Sequence, residues 1–149
     1  MKVVLLITAL VGWLYTPAQD TQLHSPLAPG KGRLVVLFTV QSDNFSRPQQ
    51  QDLISGRYPV FFNNQLLCRM QYLTYTIHDV DTGNHVMATQ FNGKKLRANA
   101  SKTPATITSN KISYLEIFFD VSKGVNGYQI MPISKILADD LLRKLMPVN

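Results

Sequence analysis

The chain has 149 residues, 45% hydrophobic and 16% charged; this is the length of one domain and the composition of a folded one, since a disordered chain would be poorer in aromatic and β-branched residues. Fifteen Lys and Arg against nine Asp and Glu leave a net charge of +6, but most of the positive residues are scattered singly, which speaks against a nucleic-acid partner. The one cysteine, Cys68, excludes an intrachain disulfide and a cysteine-based zinc cage.

In chain order, Met1-Lys2 precede an apolar stretch from Val3 to Tyr15 and the exit Thr16-Pro17-Ala18. A charged start, an apolar core and a small-residue exit predict a secretory signal peptide over residues 1–18. The stretch is short for a membrane span, which needs about 20 apolar residues. The expected location is therefore exported, periplasmic or extracellular. The alternative is an uncleaved anchor at residues 3–15, the one case in which a membrane is a partner. Residues 19–32, with Pro26, Pro29, Gly30 and Gly32, read as a linker.

The domain is expected over residues 33–149. Leu34 to Val40 is a continuous apolar run of strand length, as for a central strand covered on both faces. Residues 41–57 are polar and read as a loop, with room for one helical turn at Asp52-Leu53-Ile54. Tyr58–Phe62 and Gln65–Met70 predict strands, joined by Asn63-Asn64, because Asn tolerates the left-handed region. Residues 72–91 predict a second hairpin, reversing over Asp79 to Asn84, around which the other strands pack.

Beyond it, Asn92 to Thr103 is a loop rich in Lys, Asn and Gly. Pro104–Thr108 predicts a short strand, Ser109–Lys111 a turn, and Ile112–Val121 a strand with Leu115, Ile117, Phe119 and Val121 on one face. Gly124 and Gly127 bracket a turn, and Tyr128–Met131 is the last strand. Ser134 caps a helix over residues 134–145, with Leu137, Leu141 and Leu145 on one face and Pro147 as its stop. The fold class that follows is mainly β, a small antiparallel β-sandwich with a C-terminal amphipathic helix.

Several of these segments carry a resemblance. They are Pro29-Gly30-Lys31-Gly32-Arg33 before the first strand, Pro59 to Leu67 around Asn63-Asn64, Tyr72 to Ile77 leading to Gly83-Asn84-His85, and Ile107 to Leu115. With the last strand and terminal helix, residues 31–145 resemble exported bacterial domains of unknown function related to PEGA-type and carboxypeptidase-regulatory-like β-domains. The resemblance implies a β-sandwich in the cell envelope. It implies no catalytic residues.

His78 and His85 flank the turn, and with Asp81 they form a candidate metal set; the pattern favours instead two turn-flanking histidines, with Asp79 and Asp81 bonding the turn backbone. Lys94, Lys95, Arg97 and Lys102 are a candidate anionic docking patch, weighed against a solvated loop, which the general behaviour of charge runs favours. Cys68, among Leu66, Leu67 and Met70, reads as a small core residue. No phosphate loop, dinucleotide fingerprint, nucleophile elbow or zinc-protease helix is present, and Glu116 is the only glutamate. The expectation is a non-enzymatic binding or accessory module without a cofactor, its partner an envelope protein or polymer. The alternatives are a metal-binding or catalytic domain using His78, Asp81 and His85, and an N-terminally anchored interaction subunit.

Overall fold

A computed structural model describes residues 17–39, 55–119 and 128–148. Most of the expected signal peptide, residues 41–54 and the Gly124–Gly127 turn lie outside the described residues. The elements in order are helix α1 (Pro17–His24), strands β1 (Lys31–Phe38), β2 (Tyr58–Phe62), β3 (Gln65–Met70), β4 (Thr74–Asp81), β5 (Gly83–Thr89), β6 (Lys102–Ile107), β7 (Ile112–Phe119) and β8 (Tyr128–Pro132), helix α2 (Lys135–Leu142) and strand β9 (Met146–Pro147).

The strands form two sheets, one in the order β8-β7-β1-β4-β9 and one in the order β3-β2-β5-β6. β1 is central, as its apolar run predicts. Its alternate residues Leu34, Val36 and Phe38 face Tyr58, Val60, Met70, Met87, Leu115 and Ile117 in the interior between the sheets. Val35 and Leu37 point the other way and meet Tyr114, Ala138 and Leu145, with Leu23, Leu141 and Leu142 partly buried against them. The chain is thus a mainly β, two-sheet sandwich with a layer of short helices on one sheet. Each large apolar side chain buried in these two cores contributes about 1.5–3 kcal/mol.

Three expectations are corrected. The first concerns strand direction, because the five-stranded sheet is mixed: β1 runs parallel to β7, and β4 parallel to β9. The second is the 72–91 hairpin. β4 pairs along its length with β1, from Lys31 opposite Asp81 to Phe38 opposite Thr74, whereas β5 pairs with β2 and β6 in the other sheet. Thr82-Gly83 is therefore a corner between sheets rather than a hairpin turn, and Gly83 supplies a φ of 127° that side-chain-bearing residues rarely adopt. A second corner, Thr108–Lys111, carries β6 into β7. Both corners are tied to the start of β1: Thr82 N donates to Gly30 O, Asn110 N to Lys31 O, and Arg33 N to Lys111 O.

The third correction concerns the last helix. Ser134 caps it as predicted, its hydroxyl accepting from Leu137 N at 3.3 Å, but the helix ends at Leu142. Its buried position is Ala138, with Leu141 and Leu142 half-buried beside it and Leu145 buried in the turn beyond, and Leu137 is exposed. Pro147 does not act as the stop; it lies in β9 opposite Tyr75.

The segment read as a linker carries α1 and is held to the sandwich by Arg33. This guanidinium, 1% exposed, donates from Nε and Nη2 to the two Asp79 oxygens at 2.7 and 2.9 Å. Nη1 donates to Leu23 O and Ser25 O, and Nη2 also to Ser25 Oγ. All five donors of the guanidinium are used.

Candidate functional site

The four basic residues of the 92–103 region lie on the outer face of the four-stranded sheet. Register places Leu66, Phe61, Ala88 and Lys102 in one row across β3, β2, β5 and β6. None of the four belongs to the core cluster between the sheets. Residues 90–101 fold back over this row. Together they bound a cleft of about 420 Å³ lined by Phe61, Leu66, Leu96, Lys94, Lys95, Arg97 and Lys102.

One side chain shapes the loop. Gln90, only 5% exposed, donates from Nε2 to Asn92 O (3.0 Å) and Lys95 O (2.9 Å), and its Oε1 accepts from Arg97 N (2.8 Å). Asn92 and Gly93 make the reversal with φ of 53° and 99°, and Arg69 Nη1 donates to Gly93 O. A buried amide with three partners is costly to disturb, so the cationic side chains project from a loop of defined shape.

A bulge completes the floor. The β2–β3 register shifts between Val60 and Phe61, so that Val60 faces Cys68 and Phe61 faces Leu66, with Leu67 the extra residue. Met70 and Cys68 point inward. Strict alternation would send Leu66 inward too, and the bulge re-aims it into the cleft.

The electrostatics are one-sided. Segments 57–70 and 83–107, which make up this sheet and its loop, hold Arg57, Arg69, Lys94, Lys95, Arg97 and Lys102 and not one Asp or Glu. Among the described residues the six remaining cations are matched by six acids, so the surplus there belongs to this layer. The Lys31–Asp81, Arg33–Asp79, Lys135–Asp139 and Lys144–Asp140 ion pairs lie on the five-stranded sheet or on α2 and the turn that follows it.

The candidate metal residues are not assembled. His78 stands in the five-stranded sheet with Nε2 at 3.0 Å from Thr76 Oγ1, and burial pushes its pKa down despite the neighbouring Asp79. His85 stands in the other sheet, Nδ1 facing the Asn63 amide nitrogen and Nε2 facing Asp81 O, both at 2.9 Å, with its ring against Phe62. The Asp81 carboxylate pairs with Lys31 at 2.8 Å, and Asp79 with Arg33, whose guanidinium holds its carboxyl below the usual range. Among the described residues, no three His, Cys, Asp or Glu side chains gather as a metal set.

Burial pushes the Cys68 thiol up to about 12, which keeps it protonated and unreactive at neutral pH. Glu116 is buried and accepts from the Thr39 hydroxyl. The parts missed in the sequence are Phe61, Leu66 and Leu96 as floor and Gln90 as support. The acid-free span was legible there, since no Asp or Glu occurs from residue 82 to 115.

Fold and cleft together define a two-sheet β-sandwich with one cationic layer. No protein-family model matches the chain, and no match was found among curated proteins or solved structures.

Proposed function

We propose that this protein is a non-enzymatic binding module of the cell envelope, exported by its N-terminal segment, which docks an anionic partner in the Lys94–Lys95–Arg97–Lys102 cleft. The observation that carries this reading is the separation of charge: among the described residues the cationic surplus lies on one layer, and four of its cations line one cleft around an apolar floor. Such an arrangement raises the local concentration of anions and steers their approach. The signal-peptide pattern and the resemblance of residues 31–145 to exported β-domains support the envelope location. Intact mass of the protein from its own cells tests export, with a species beginning at Gln19 as the expected result.

Retention on a dextran sulfate matrix tests the cleft. The wild type is expected to be held at low salt and released as ionic strength rises. Lys95→Glu/Arg97→Glu is expected to elute earlier than Lys135→Glu/Lys144→Glu, which changes net charge equally on the opposite layer. Equal elution of the two double variants refutes the cleft reading.

A further inference from the structure

The two sheets have four edges among the described residues, β8, β9, β3 and β6. β8 carries Pro132, β9 carries Pro147 and β6 carries Pro104. Proline cannot donate to a ladder and is a common device against unwanted pairing at edges. β6 is also bonded across to β8, Thr103 Oγ1 donating to Ile130 O. β3, Gln65-Leu66-Leu67-Cys68-Arg69-Met70, carries no proline.

This proline-free edge is continuous with the cationic cleft. Leu66 belongs to both, 45% exposed at the edge and lining the cleft. Arg69 sits on the same outer face, opposite Pro59, while the half-buried Leu67 and Cys68 pack against the interior between the sheets. A strand laid beside β3, about 4.8 Å away, would present alternate side chains to these two faces. One set would meet Arg69 and the cleft cations, and the other the apolar margin of the sandwich.

We infer that β3 is a strand-addition edge whose occupant is an extended polypeptide segment of another protein, with carboxylate and apolar side chains in alternation. This rests on the cleft reading above and adds backbone pairing to it. A second copy of the chain fits poorly, because pairing two β3 strands would set two acid-free cationic layers side by side.

The probe is a fluorescent peptide, acetyl-Glu-Val-Glu-Val-Glu-Val-Glu-amide, with two N-methylated versions, one blocked at the Glu positions and one at the Val positions. Only alternate amides of an added strand face β3, so one version is expected to lose affinity by about tenfold or more and the other to keep it. Backbone hydrogen exchange in residues 65–70 is expected to slow with the peptide and not with dextran sulfate. If both N-methylated peptides bind like the parent and residues 65–70 stay unprotected, strand addition is refuted while the cleft reading survives on its dextran sulfate result. If neither the peptide nor dextran sulfate distinguishes wild type from Lys95→Glu/Arg97→Glu, both fall. Concentration-dependent dimerisation that protects 65–70 without peptide makes the occupant a second copy and overturns the assignment.

Discussion

At the scale of single residues, Arg33 shows how a charged side chain is buried between a sheet and the helical segment that covers it. Burying an unpaired guanidinium is costly, and its fully used donors and the two-oxygen contact with Asp79 offset that cost. Asp79 is itself 44% exposed at the side chain, so water reaches one side of the pair. Asp79→Asn is expected to lower unfolding stability by about 2 kcal/mol, the scale of a charge-assisted hydrogen bond, measured by urea denaturation at pH 7. The pH dependence has a defined sign. With its folded-state pKa held down by Arg33, Asp79 contributes stability that is complete above the unfolded carboxylate value, about 3.9, and lost as pH falls through the lower folded value. His78, whose pKa burial lowers, acts in a higher window. The unfolded chain takes up that proton first, so stability begins to decline as pH falls below about 6.5. Urea midpoints from pH 7 to 3 should show both losses in the wild type and a weaker acid limb in Asp79→Asn.

Among the elements, β1 organises the molecule, and its first residues do more than pair. The two corners that carry the chain between sheets bond to Gly30, Lys31 and Arg33. The β6–β7 corner comes so near that a Cβ on Gly32 would lie 2.5 Å from Ile107 Cγ2 and 2.6 Å from Thr108 O. A side-chain methyl can swing away, whereas a backbone carbonyl at the end of a paired strand moves only with its corner. Gly32→Ala is expected to cost about 1–3 kcal/mol by overpacking, with the loss of melting temperature as its measure. A Gly32→Ala protein as stable as wild type would mean that this corner is free to shift.

For the whole molecule, the distinctive feature is that one strand serves two cores. Leu34 faces the space between the sheets and Leu37 the helical layer, both fully buried. Leu34→Ala and Leu37→Ala are each expected to lose about 2–5 kcal/mol by denaturant titration. A sandwich open to water on the helix side would lose stability mainly at Leu34. Charge is divided along the same lines: among the described residues the Lys31–Asp81, Arg33–Asp79, Lys135–Asp139 and Lys144–Asp140 pairs belong to the five-stranded sheet and the helical layer, while the four-stranded sheet is cationic and free of acids.

Local physics made much of this fold legible in the sequence. The unbroken run at Leu34 announced a strand covered on both faces, Asn63-Asn64 adopt φ of 51° and 65° as their residue type allows, and Ser134 caps its helix, because each of these depends on neighbours a few positions away. The partners of β4 and β5 depend on the rest of the chain. Thr82-Gly83 resembles a hairpin turn, yet β1 takes β4 into one sheet while β2 and β6 take β5 into the other, since each strand must turn its apolar face to the shared interior. The cleft has the same origin. Its cations and the surrounding lack of acids were written in the sequence, but the floor of Phe61 and Leu66 exists only because a bulge and the strand register bring β2, β3, β5 and β6 into one row beneath the loop held by Gln90.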